Sequence, residues 1–193
     1  MKKRKILILV TFLTIVSCII FIFIGTKSIQ KLNIEKEKIK KTVIGALKID
    51  QLIIFPAEYT KSPDIQIPKE VVDKKLKEVE QACEKYLSKK SGWFANRLKV
   101  YQKAVLAEAY PSSDIRAVEL KISDIKFLKI KVKGKKAAVV VDIFGEYMSV
   151  MNKGHIAHNY IKVGERHYFD LEKENGDWKI TSETFNFLPG YEP

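Results

Sequence analysis

The sequence predicts an α+β domain carried behind one N-terminal transmembrane helix, and three observations predict it. Residues 6–24 run without a charge, a proline or a glycine. Between residues 69 and 109, two stretches place apolar side chains every three or four positions, the signature of amphipathic helices. After residue 115 the apolar period changes from 3.6 to 2, the change from helix to strand.

The N-terminal run comes first. As an α-helix, residues 6–24 would extend about 28 Å, close to the thickness of a bilayer's hydrocarbon core. Lys2, Lys3, Arg4 and Lys5 precede it and favour a cytoplasmic tail, residues 1–5, with everything after the span outside. Lys27, Lys31, Lys36, Lys38, Lys40 and Lys41 follow the span and pull the other way. Reversal would drag the charged tail across the membrane, so N-inside, C-outside is the expected orientation. Two other readings of this segment exist. A cleaved signal peptide has a shorter apolar stretch and a small-residue cleavage site, for which Gly25-Thr26-Lys27 is a poor match. Ile15-Val16-Ser17-Cys18 resembles a bacterial lipobox, which makes Cys18 a candidate lipidation site. The apolar residues after Cys18 favour a buried helix side chain instead.

Residues 25–64 read as a juxtamembrane stalk and linker. Ile29, Leu32, Ile39, Val43 and Leu47 have near-helical spacing among many Lys and Glu, and Pro56, Pro63 and Pro68 then exclude regular structure. The folded domain is expected over residues 65–193. Pro68 stands where a helix begins. Val72, Leu76, Val79 and Cys83 mark one buried stripe, and Ser91-Gly92 ends that helix. A second helix is expected over 93–109, with Phe94, Leu98, Tyr101, Val105 and Ala109 on one face. Strands follow: Val118, Leu120 and Ile122; Leu128, Ile130 and Val132 after a break at Ser123-Asp124; then Ala137, Val139, Val141 and Ile143 beyond the Lys133-Gly134-Lys135 turn. Gly145 suggests a bulge or bend. Residues 155–163 lead through Gly164 into a strand over 165–173, and Glu174-Asn175-Gly176-Asp177 is a hairpin turn before Trp178-Lys179-Ile180.

Composition limits the function classes. The formal charge is +12; without the four basic residues of the tail, 31 Lys and Arg against 23 Asp and Glu leave +8. Only four of those cations along the whole chain are arginine, the residue suited to bidentate phosphate and base contacts, so specific nucleic-acid recognition is not expected. A lysine-rich surface near a membrane suits anionic lipid or anionic polymer, and also reads simply as a solvated surface. Cys18 and Cys83 form no disulfide framework, and no zinc-spaced cluster occurs. No cofactor is expected.

The segment from Lys135 to Thr181, with Tyr168-Phe169-Asp170-Leu171 and Gly176-Asp177-Trp178-Lys179-Ile180, resembles the nuclear transport factor two-like superfamily, also called SnoaL-like or cystatin-like. That resemblance implies helices packed into a strongly curved, cone-like antiparallel sheet. It leaves function open, because the fold hosts isomerases, dehydratases, transport factors and secretion-channel parts. The helix usual between the second and third strands has no obvious place in this sequence.

Isomerases of this resemblance hold a carboxylate base inside the cone. Candidates here are His167 with Asp142 or Glu146, and further Asp170, His155 and His158. Alternation puts His167 with Phe169 and Leu171 on one face, and Asp170 with Tyr168 on the other. His155 and His158 lack a third metal ligand at fixed spacing. Near the C-terminus, Phe185, Phe187, Leu188 and Tyr191 will either pack back on the domain or bind a partner. The expected function is a non-enzymatic, single-pass interaction module on the outer face of a bacterial cell membrane, working with other envelope proteins or with copies of itself. The layout also resembles bitopic subunits of type IV secretion and conjugation channels. A tethered ligand-binding or isomerase-like domain is the alternative.

Overall fold

Residues 29–47 are helical in the computed structural model, which describes residues 29–111, 114–152 and 155–192. The expected transmembrane helix, the basic tail and Cys18 lie outside the described residues, among which no helix is long and apolar enough to cross a membrane. Two compact units part between Lys38 and Ile39. In the first, residues 29–38 are helical and Ile29, Leu32 and Ile34 are exposed.

The second unit begins at Ile39, well before residue 65. Its first helical stretch, α1 (residues 39–47), buries Ile39, Val43, Ala46 and Leu47. These residues recur at i, i+4, i+7 and i+8, one face of a helix. After a one-residue turn, α2 (Ile49–Leu52) buries Ile49. What reads in the sequence as stalk and linker thus divides: residues 39–64 belong to this unit, and Phe55 and Ile67 also enter its core. The proline segment is irregular but pinned. Arg116 is 1% exposed, and its guanidinium donates to the carbonyls of Tyr59 (2.7 Å), Ser62 (3.2 Å), Ile65 (2.8 Å) and Glu108 (3.1 Å). One planar fork therefore satisfies backbone acceptors that no helix or sheet could serve.

Helix α3 (Lys69–Tyr86) follows Pro68, whose carbonyl accepts from Val71 and Val72. It buries Val72, Val79 and Cys83 on one stripe, and α4 (Trp93–Ala109) buries Tyr101, Val105 and Ala109. Both agree with the helical spacing in the sequence, except that α3 stops at Tyr86 because Leu87 turns extended to bridge Ile180.

Four antiparallel strands follow in the order β1 (Ile115–Lys133), β2 (Lys136–Asn152), β3 (Ile156–Glu174) and β4 (Asp177–Phe187). Helices packed on a bent antiparallel sheet make the unit α+β. The break expected at Ser123-Asp124 is a bulge within β1, one of three at Ala117/Glu119, Ile122/Asp124 and Phe127/Lys129. Such bulges bend a strand and sharpen its twist. The irregularity anticipated at Gly145 therefore sits across from it, since Gly145 pairs with Ile122 beside the second bulge. The β3–β4 turn has Asn175 and Gly176 at φ 49° and 96°, the left-handed pair that a two-residue hairpin needs. On the inner face, Val139, Val141 and Ile143 of β2 and Phe169 and Leu171 of β3 join Trp178 and Ile180 of β4 against the helices.

Candidate functional site

Alternation along β3 puts Leu171, Phe169, His167 and Glu165 on the same inner face. The face is apolar at Leu171 and Phe169 and becomes charged at His167 and Glu165. On β4 a bulge between Asp170 and Leu171 in the pairing inserts one residue, Thr181. Trp178 and Ile180 face inward before it; after it the parity reverses, and Glu183 and Phe185 face inward opposite Phe169 and His167. The bulge is what brings Glu183 into the interior.

Around this charged end lies a cavity of about 440 Å3, lined by Asp50, Ile53, Arg97, Glu108, Leu120, Tyr147, Glu165, His167 and Phe185 among others. A smaller space of about 50 Å3 adjoins it and shares Asp50, Leu120, Glu165 and His167. Short helix α2 supplies Asp50 and its C-terminal cap Ile53, α4 supplies Arg97 and Glu108, and the strands supply Leu120, Tyr147, Glu165, His167 and Phe185.

His167 is 5% exposed and sits between two carboxylates. Its Nδ1 lies 2.7 Å from Glu183 Oε1 and its Nε2 lies 2.8 Å from Glu165 Oε2. Burial alone would lower the imidazole pKa, but the bonds to Glu165 and Glu183 outweigh it and raise the value to about 9. At neutral pH it is therefore an imidazolium donating both N–H groups. Phe169 and Phe185 stack on its two sides at ring-centroid distances of 5.7 Å and 5.4 Å. Glu183 also receives Arg97 Nη2 at 3.1 Å, and the same nitrogen donates to Tyr101 Oη at 3.0 Å. The Arg97 guanidinium lies 4.6 Å from the centre of the Tyr101 ring. Its buried Nε has no acceptor among the described residues.

Asp50 is different. Its carboxyl accepts no hydrogen bond among the described residues, and burial pushes its pKa up to about 6 against the pull of Arg97. Glu108 is also raised by burial, although its Oε2 accepts the Ala117 N–H at 2.7 Å. Asp50 thus lines the cavity with neither carboxyl oxygen engaged by a donor among the described residues. Among the described residues, no group of three His, Cys, Asp or Glu could hold a metal ion.

The structure separates the residues that the sequence would group. His167 faces inward as alternation predicts, with Asp170 and Tyr168 on the outer face, but its partners are neither Asp142 nor Glu146. Asp142 pairs in register with Arg166, one position off the inner face, and binds its guanidinium through both oxygens at 2.7 Å and 2.8 Å. That hydrogen bond holds the Asp142 carboxyl below its usual range. Glu146 is exposed opposite Lys121 and Lys162. His155 and His158 lie near the far end of β3, outside the cavity lining. Of the C-terminal apolar residues, Leu188 and Tyr191 return to the unit, while Phe185 and Phe187 stay 48% and 43% exposed. Phe185 lines the cavity, Phe187 meets it edge-on, Leu188 N–H donates to Gly164 O at 2.9 Å, and Tyr191 meets Phe144 edge-on. A Cβ on Gly164 would lie 2.5 Å from the Tyr191 ring, so only glycine admits that contact.

Sequence reasoning missed Asp50, Arg97, Glu165 and Glu183. Glu165 had a signal, since it precedes His167 by two positions in a strand. Asp50 had none, because it lies in the segment that reads as stalk.

No family model matches this chain, and no curated protein matches it. Among solved structures, the intermembrane-space region of the chloroplast protein ARC6 is similar at 12% identity and a TM-score of 0.40, over 56% of this chain and 78% of that one. A putative calcium/calmodulin-dependent protein kinase II association domain from Xanthomonas campestris is similar at 15% identity and a TM-score of 0.28, over 57% of this chain and 74% of that one. At these values the likenesses assign neither family nor function.

Proposed function

We propose that the chain is a membrane-anchored, extracytoplasmic module of a bacterial cell envelope whose working part is a cavity for a small ligand. The single observation that carries this reading is the cavity of about 440 Å3 with Asp50 facing it unpartnered. Its size suits a small molecule, and its walls combine apolar groups with a few convergent polar ones, as ligand sites do. The fold is read as nuclear transport factor two-like, on the β3–β4 hairpin motif and on helices packed against a bent sheet. The anchor rests on residues 6–24 of the sequence. Attraction of the lysine-rich surface to anionic lipid or polymer, and association with other envelope proteins or with itself, belong to the same proposal.

Binding is favoured over catalysis through His167. Both of its ring nitrogens are engaged by carboxylates, so it has no free position from which to move a substrate proton. An isomerase-like activity would have to use Asp50, whose carboxyl is raised toward the range useful for a general base.

Ligand-observed NMR of the full chain in detergent micelles, against a library of small apolar and amphipathic molecules, tests the reading. Ala104 lines the cavity, so Ala104→Phe fills it. Hits that disappear in Ala104→Phe and in a second blocking variant, Leu120→Trp, support the proposal. Hits that persist in folded blocking variants, or no hits in the unblocked chain, overturn it.

A further inference from the structure

The polar groups of the cavity differ in how much bonding capacity they have left. Arg97 already serves Glu183 and Tyr101, and His167 donates to Glu165 and Glu183. His167 has no ring N–H left for an anion, while Arg97 keeps its buried Nε–H without an acceptor among the described residues. On the acidic side, Asp50 has no donor among the described residues, and Glu165 engages His167 through Oε2 alone. Four carboxylates, Asp50, Glu108, Glu165 and Glu183, stand against three cations, Arg97, His167 and the Arg116 that acts on Glu108, an excess of one negative charge when all are ionised. Lys121, which borders the smaller space, is exposed and directs its charge to solvent.

Two aromatic side chains complete the wall. Phe185 and Tyr147 both line the cavity. Ring faces attract cations, most strongly where water is excluded. A neutral ligand would leave the Asp50 charge uncompensated, and an anionic one would meet further carboxylates.

Resting on the cavity reading above, we propose that the ligand is a small organic cation: a protonated amine on an apolar or aromatic body. Its ammonium donates to Asp50 and to the free oxygen of Glu165, and its body lies against Tyr147, Phe185, Leu120 and Ile53. The charge belongs to the ligand and not to a metal, since the described residues offer no three-ligand cluster.

Three probes of one shape test this by isothermal titration into the full chain in micelles: 2-phenylethylammonium, neutral 2-phenylethanol and anionic 3-phenylpropanoate. The ammonium should bind roughly ten- to a hundredfold more tightly than the alcohol, and the carboxylate least, as one charge-assisted contact in a desolvated site implies. Asp50→Asn should erase most of that preference, and Glu165→Gln should reduce it. If the alcohol binds as well as the ammonium, or the preference survives Asp50→Asn, the assignment of a cation falls while the cavity remains a ligand site. Tightest binding by the carboxylate likewise overturns the cation. If none of the three binds up to millimolar concentration, the assignment falls; the library screen above decides the cavity reading separately, through its blocking variants.

Discussion

Asp50, His167 and Arg116 are three charged groups with three different settlements, His167 and Arg116 buried and Asp50 half-buried. Asp50 has lost water and gained no donor. Its folded pKa of about 6 lies above the ordinary aspartate value of 3.8, so the native state holds its proton more tightly than the unfolded chain does. Stability attributable to Asp50 therefore falls as pH rises from about 4 through 6, and stays lowered above that window. Asp50→Asn should remove this fall and stabilise the protein at pH 7 by up to about 3 kcal/mol, read by urea unfolding at pH 4.5 and pH 7. Gaining stability by losing a cavity charge is the pattern of a site kept for binding. His167 runs the other way. Its pKa is raised from 6.5 to about 9, so its contribution is complete below about 6.5 and is lost as pH climbs through about 9. His167→Leu would leave Glu165 and Glu183 facing an interior without their shared donor, a loss on the order of 3 kcal/mol in chemical denaturation. Arg116 bonds the carbonyls of Tyr59, Ser62 and Ile65 in the proline segment and of Glu108 at the end of α4. Arg116→Met should cost about 2–4 kcal/mol and expose the proline segment to proteolysis, since buried carbonyls would go unpaired.

At the scale of elements, the two-residue rhythm of strands and its break at Ser123-Asp124 were readable, and the bulge in β4 was not. The turn at Asn175-Gly176 and the inward set Val139, Val141, Phe169 and Leu171 follow from residue type and alternation. Extending the alternation of Trp178 and Ile180 would send Ser182 and Thr184 inward and Glu183 outward. The bulge at Thr181 reverses that, and no residue type there announces it; Thr181 Oγ1 donates to the carbonyl of Asp170 at 3.1 Å. Deleting Thr181 should restore unbroken pairing and expel Glu183 and Phe185 from the interior. The checkable result is an ordinary pKa for His167 in an NMR titration, in place of one near 9. An unchanged His167 titration would mean that the bulge does not position the site.

At the scale of the whole molecule, the period change at residue 115 was enough for the α+β class, and the sequence-based boundary near residue 65 was too late. Charge density made residues 39–47 resemble a stalk, yet Ile39, Val43, Ala46 and Leu47 share one face, and only the fold reveals what covers it. Asp50 was hidden by the same boundary, whereas Arg97, Glu165 and Glu183 lie within the expected domain. A fragment of residues 39–193 should fold cooperatively, whereas residues 65–193, lacking those four side chains with Ile49 and Phe55, should not. Near-ultraviolet circular dichroism distinguishes the two, because fixed aromatic packing survives only in a folded core.

Asp50 lines the cavity with no donor among the described residues, and desolvation raises its pKa. The most direct measurement is a carbon-13 NMR titration of the Asp50 carboxyl in the full chain. A midpoint near 6 is the predicted result. A midpoint near 3.8, the value of a solvated aspartate, would contradict it.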